Sequence, residues 1–348
     1  NIIIQAGAVF NLTSSIISGL GGIIQIDSLA SLDMTSGDGN TFFDVVINNN
    51  GQLSFSQTLT LNDEATLNNT GNVNMVNIAD FGSASSGFIN NLAGGTINKN
   101  DPTTSTIIQN ISWENYGTVF IDGGTLNFEP LGAINDGIFE IGGGATLNIV
   151  TTDFDFIGSQ LINNGEITGQ PFQFGSATTQ TLSGTGIIND LTIDNGSVII
   201  LNGDQRISTQ ITLINGIIET GANKITMSAS ASINNITTGS YINGNLEQEY
   251  SASGNKTFYI GDSDLFTPVD VNLSITSPVT SVLVRTDVGD AATIANSNID
   301  PDNSVNRTWT ITNTSGTFSN ADLVLNWDAT DVDPTADPLL FNVSKNDG

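Results

Sequence analysis

Residues 187–203 read IINDLTIDNGSVIILNG: an apolar residue, an Asn, a Gly, then a run in which apolar and polar residues alternate. The same phrase returns as INNNGQLSF at 47–55, LNNTGNVNM at 67–75, INDGIFEIG at 134–142 and INNGEITG at 162–169. Taking the apolar residue before each Asn-containing turn gives Ile47, Leu67, Ile89, Trp113, Ile134, Ile162, Ile188, Ile214 and Ile233, spaced 19 to 28 residues apart. Alternation at period two marks short strands, and no segment keeps a helical period. Short strands with a turn every two dozen residues predict a right-handed parallel β-solenoid, in which each turn buries its apolar side only by stacking on its neighbours. At about 4.8 Å per layer, roughly ten or eleven turns would make a rod of about 50 Å. The expected core is a column of Ile47, Leu67, Ile89, Ile134, Ile162, Ile188 and Ile214. Asn and Gly at the corners suit a left-handed backbone, and successive Asn amides can hydrogen-bond along the axis. The phrase therefore reads as scaffold.

The composition fits this reading. Of 348 residues, 38% are hydrophobic, only 12% are charged, and 43 are Asn beside 37 Gly. The balance of 7 basic and 35 acidic residues, net −28, argues against nucleic acid and against anionic membrane surfaces, which need clustered Lys and Arg. An acidic, self-repelling surface is the simplest meaning of that charge. There is no Cys and no His, which removes disulfides, thiolate metal sites, the commonest zinc ligand and the commonest general base. No run of apolar residues is long enough to span a membrane. The opening NIIIQAGAVF has no Met and no basic leader, so the chain reads as a mature or excised piece.

The pattern changes near residues 240–245. YSASGNKTFYIGDSDLFTPVDVNLSI, LVRTDV, NRTWTITNT and ADLVLNWDA are longer strands separated by polar loops, which predicts an antiparallel β-sandwich over 241–348 after a solenoid over 1–240. The sandwich is expected to cap the open strand edges of the last turn. SGTGIINDLTIDNG, INGIIETGANKITM, SYINGNLEQEYSASGNKTFYIGD, TPVDVNL and NRTWTIT follow one another in an order that resembles repetitive secreted, adhesin-like surface proteins of Bacteroidetes-type bacteria. The resemblance covers roughly residues 180–330. It implies export by a type IX route and a role in adhesion, gliding or surface layers. The sorting domain usual at the C-terminus of that family has no counterpart in this sequence.

Chemistry is harder to find. A polysaccharide lyase needs a cation beside the substrate carboxylate and a base. Residues 1–240 hold only Lys99, Arg206 and Lys224, expected to be spread over too many turns to share a cleft. A hydrolase needs two carboxylates about 5–10 Å apart. Asp153 and Asp155 in TTDFDF would face one side of a strand with Phe154 and Phe156 turned inward, and a solvated strand edge is the favoured reading. Asp63-Glu64 reads as a turn. Gly142-Gly143-Gly144 lacks the Lys and helix of a phosphate loop and reads as a corner. Calcium is the cation the sequence suits best, through Asp262 with Asp264, through Asp300, Asp302 and Asn303, or through Asp328, Asp331 and Asp333, since Ca²⁺ takes oxygen ligands from such loops. Exposed Tyr116, Tyr241 and Tyr250 would stack on sugars if the chain were a glycan-binding module. The Thr runs at 58–61 and 103–106 are too isolated for an ice-binding lattice. The sequons at Asn110 and Asn272 and the Asp27-Ser28-Leu29 triplet match modification patterns that chance also produces in such a composition. The function expected is a non-enzymatic structural or adhesive segment of a larger extracellular or cell-surface bacterial protein. Its partners would be other domains of a longer chain, surface glycans or surface proteins. The alternatives are a polysaccharide lyase or hydrolase built on a β-helix, and a glycan-binding module.

Overall fold

In the computed structural model, which describes residues 1–348 apart from 14, 36, 38, 78, 79, 153, 342 and 344–348, each turn of the chain lays three short strands into three parallel sheets. The first sheet stacks Ile2–Ile4 on 22–26, then 45–49, Thr66–Asn69, Phe88–Asn91, Ser112–Asn115 and Gly132–Asn135, and runs on to Ser232–Asn234. The second begins Val9–Asn11, Ser31–Met34, Gln52–Phe55 and ends at Ile260–Gly261. The third begins with 16–18, 41–43 and Leu59–Asn62 and ends at 245–248. About twelve turns are stacked between residues 2 and 261. Parallel pairing thus continues past residue 240, where the sequence pattern changes. Among the described residues no helix is long and apolar enough to cross a membrane.

The strands alternate as the sequence does, one residue buried and the next half-exposed. Ile47, Leu67, Ile89, Trp113 and Ile188 point inward, as do Phe154 and Phe156. Ile134, Ile162 and Ile214 do not, and the expected column is corrected at these three. Ile134 is 41% and Ile214 49% exposed, and Ile162 is half-buried, while the residue before each (Ala133, Leu161 and Leu213) turns toward the core. The inward residue lies two places before the corner Asn, so an apolar residue directly before that Asn faces out. A slip of one residue moves a side chain to the other face of a strand. From Trp113 to Phe174 the interior is filled by aromatic rings, edge to face in the Trp113–Phe128 pair (5.3 Å) and the Phe156–Phe174 pair (5.6 Å).

The corner between the first and second sheets explains the repeated phrase. Asn49, Asn69, Asn91, Asn115 and Asn135 are fully buried there. Asn49 Nδ2 donates to Asn69 Oδ1 (2.8 Å), Asn69 Nδ2 to Asn91 Oδ1 (2.8 Å) and Asn91 Nδ2 to Asn115 Oδ1 (2.7 Å). The second hydrogen of each amide goes to a backbone carbonyl of the next turn, at Asn72, Thr96 and Thr118. The ladder breaks at Asn115, because the Trp113 indole N–H takes Asn135 Oδ1 (3.1 Å), leaving the Nδ2 of Asn115 and of Asn135 without acceptors. Two residues after each ladder Asn, except at the longer Asn91 corner, comes a glycine. Here the sequence-based reason needs correcting: neither these Asn nor these Gly have positive φ. Glycine is needed because the turns touch. A Cβ on Gly71, Gly117, Gly137 or Gly158 would lie 2.0–2.2 Å from the carbonyl oxygen of the corner glycine one turn below.

The buried ladder and a half-buried one on the outside can be compared directly. Asn91→Ala should cost about 2–4 kcal/mol, because it removes two amide links and strands a buried donor and acceptor. Asn90→Ala, which loses only the outward bond to Asn68 (2.8 Å), should cost under about 1 kcal/mol. Urea unfolding midpoints of the two variants check this, and equal losses would mean that the inner ladder is not special.

The stack ends in antiparallel strands. Ile242–Tyr250 pairs in parallel with Gln205–Met227 on one side and antiparallel with Thr280–Val288 on the other, and Thr280–Val288 pairs with Arg307–Ser315. Gly254–Phe258, Val269–Ile275 and Phe318–Leu325 form a separate three-stranded antiparallel sheet. Tyr250, Phe258, Val269, Val271, Val282 and Val284 join the solenoid core, and Tyr250 Oη donates to the Val271 carbonyl (2.8 Å).

Candidate functional site

Charge gathers where the last turns meet the antiparallel strands. Arg206 and Lys224 lie on adjacent turns of the third sheet, followed by Glu247 and Glu249 on the next. These four, with Thr185, Asp204, Gln205 and Thr226, line a cleft of about 380 Å³. The expectation that the solenoid's cations cannot share a cleft is therefore wrong for Arg206 and Lys224: they lie on adjacent turns, about 20 residues of sequence per turn here, and line the same cleft. Lys99 does lie apart. It is buried at a corner, where Nζ donates to the carbonyls of Asp101 and Gly123, and burial lowers its pKa.

Both cations of the cleft are already paired with its two Glu. The Arg206 guanidinium clasps Glu249 with two parallel bonds of 2.7 Å, which raise its pKa. Lys224 Nζ sits 2.7 Å from Glu247 Oε2, which also accepts from Thr226 Oγ1 (2.8 Å). Thr314 donates to the other oxygen of Glu247, tying the strand Arg307–Ser315 to the stack. Burial on its own would raise the Glu247 carboxyl, but these donors outweigh it and hold the group below its ordinary range. An acid held ionised in this way has no proton to give a leaving group at neutral pH, and its paired cations have no free charge for a substrate carboxylate.

A second charged centre escaped the sequence reading. Arg307, the first residue of the Arg-x-Trp-Thr-Ile motif, is buried with its side chain fully out of solvent. Its Nη1 bonds Asp262 (2.7 Å) and Thr286 (3.1 Å), while Nε and Nη2 grip both oxygens of Asp331 (2.8 and 3.0 Å). Burial works against the Asp262 carboxylate, but N–H groups from Asp264 and Leu265 (2.8 and 2.9 Å) and the guanidinium prevail and lower its pKa. The one sequence signal was an Arg placed where an alternating apolar strand begins.

These bonds occupy the loops expected to hold calcium. Asp300 accepts from the Asp302 N–H and from Asn303 Nδ2, and Asn303 Oδ1 accepts from Thr335. Asp328 caps a short 3-10 turn through the Thr330 N–H, and Asp333 accepts from the Ser304 N–H and Asn306 Nδ2. Among the described residues no three acidic side chains converge on a point that would hold a metal ion. Asp153 lies outside the described residues. Asp155 is exposed and bonded to Gln173 across the turn. Asp63 and Glu64 form a positive-φ turn, and Gly142-Gly143-Gly144 forms a corner, both as expected. The tyrosine expectation is corrected: Tyr241 and Tyr250 are 2% and 1% exposed, and of the three only Tyr116, at 40%, is open to stacking. No family model, curated protein or solved structure matches this chain.

Proposed function

We propose that this chain is a non-enzymatic structural or adhesive segment of a bacterial extracellular or cell-surface protein. The observation that supports it most is the way its polar groups are used: corner amides bond to the next turn, and the cleft's two cations and the two Glu facing them are closed on one another. In this reading the coil is right-handed, and the two antiparallel layers close as a sandwich over its last turn. The rod then acts as a stiff spacer that resists pulling along its axis by shearing many backbone bonds. Its partners are other domains of a longer chain and surface glycans or proteins. The runner-up is a polysaccharide-acting enzyme, and the Arg206–Lys224 cleft is where such chemistry would have to occur.

Two measurements test the proposal. Incubation with neutral and acidic polysaccharides should leave their chain lengths unchanged; depolymerisation abolished by Glu247→Gln would replace this reading with the enzymatic one. Antibodies against the chain should label intact cells or their surroundings. Labelling only after permeabilisation would contradict the extracellular assignment.

A further inference from the structure

A second cleft, of about 310 Å³, lies where the last turns of the second sheet meet the strand Thr280–Val288, and its polar groups are used differently from those of the Arg206–Lys224 cleft. There the cations and the two facing Glu are closed on one another. Here Glu219 and Asn243 stand in register on adjacent turns, and neither side chain has a hydrogen-bond partner among the described residues. Arg285 and Asp287, two places apart on their strand, are ion-paired with each other, Nε to Oδ2 at 3.0 Å, with side chains 45% and 50% exposed. Gly221 and Gly244 complete the lining at φ of 56° and 112°, backbone that glycine adopts without strain. A Cβ at Gly221 would meet nothing within 4 Å, so the recess is open there. Arg307 bonds Thr286 and Asp262, which also line the cleft, so part of its wall is fixed before anything binds.

We propose that this cleft binds a sugar unit of a neutral glycan. The mixture of groups selects that class. The Glu219 and Asp287 carboxylates and the Asn243 amide oxygen accept hydrogen bonds, the Arg285 guanidinium and the Asn243 amide nitrogen donate them, and a sugar hydroxyl does both. A simple cation would leave the donors unused. An anion would meet two carboxylates within a chain of net −28. The cleft is at the small end of ligand pockets, which suits a short stretch of glycan rather than a long one. No aromatic ring lines it, so a sugar is held by hydrogen bonds without stacking, and the affinity is in the weak class. A glycan site rests on the adhesive half of the proposed function and gives it a place on the molecule.

Titration calorimetry of the 348-residue chain with neutral gluco-, galacto- and manno-oligosaccharides, and with oligogalacturonate as the acidic counterpart, tests this. At least one neutral oligosaccharide should bind with a Kd of about 1 mM or tighter, and oligogalacturonate at least about tenfold more weakly. Glu219→Ala and Asn243→Ala should each weaken binding about tenfold with an unchanged circular dichroism spectrum. Glu219 is exposed, so its variant keeps the test decisive if Asn243→Ala fails to fold. Tyr116→Ala, at a corner on an earlier turn, should bind like the parent. If no neutral oligosaccharide binds, the site falls, while the spacer reading stands or falls separately by cell labelling. The acidic oligosaccharide binding as tightly, or a folded Glu219→Ala variant binding like the parent, also overturns the proposal. So does loss of binding in Tyr116→Ala, which would place the sugar on that exposed ring.

Discussion

Gly137→Ala will destabilise the chain by about 3 kcal/mol or more, while Gly132→Ala, five residues away on the same turn, will change stability by less than about 1 kcal/mol. The difference is contact between turns. A Cβ at Gly137 would lie 2.1 Å from the Gly117 carbonyl oxygen and 2.9 Å from its nitrogen, both backbone atoms that cannot swing away. A Cβ at Gly132 meets nothing within 4 Å, and that residue has no positive φ to strain. Making room at Gly137 would lift one turn off the next. The loss would reach the Ile138 N–H bond to the Gly117 carbonyl (2.8 Å) and the buried Asn135 beside it. Thermal and urea unfolding of the two variants provide the measurement. Similar small losses in both would show that the corner glycines are not in contact.

Arg307→Met should cost about 3–5 kcal/mol and reverse the effect of acid on the C-terminal strands. In the native chain Asp262 has a folded pKa below its ordinary 3.8. Its stabilisation is therefore present above that ordinary value and is lost as pH falls through the lower folded one. Without the guanidinium, the buried carboxylates of Asp262 and Asp331 keep only backbone N–H donors and have lost the opposite charge that paired them. Protonation then relieves Asp262, so lowering the pH from about 7 to about 4 should stabilise Arg307→Met relative to the parent. Adding Asp331→Asn to Arg307→Met should recover part of the loss at neutral pH. Parallel pH profiles for parent and variant would show that the buried triad is not the link between these loops.

The parallel solenoid was legible because its signal is repeated. One corner phrase recurs, and the strands between corners alternate as stacked strands must. The inward turn of Phe154 and Phe156 followed from that alternation alone. The phase of the alternation was less secure. Where two apolar residues precede an Asn, as in Leu161-Ile162-Asn163, period two fits either one, and only the stacked neighbours decide. The glycines were recognised for the wrong reason, since sequence distinguishes neither a left-handed glycine from one pressed against a carbonyl nor their different penalties. The Arg206–Lys224 cleft was missed because closeness along a solenoid depends on turn length, which varies, rather than on residue separation. Tyr241, Tyr250 and Arg307 share another cause. Each is a residue with a polar end, buried where that end meets a partner far along the chain: the Asp262 and Val271 carbonyls and the Asp262 and Asp331 carboxylates.

Distance along the molecule counts turns rather than residues. The chain has no Cys, so spin labels can be placed one pair at a time on outward positions of the second sheet. Register runs from Gln52 through Asn72, Thr96, Thr118 and Ile138 to Gln160, and on through Thr181 to Ile200. At about 4.8 Å per turn, labels at 52 and 160 should lie about 24 Å apart and labels at 52 and 200 about 34 Å, measured by pulsed electron–electron resonance. Two narrow distributions differing by about 10 Å are the result expected of the stack. Equal distances, or distributions too broad to separate, would contradict it.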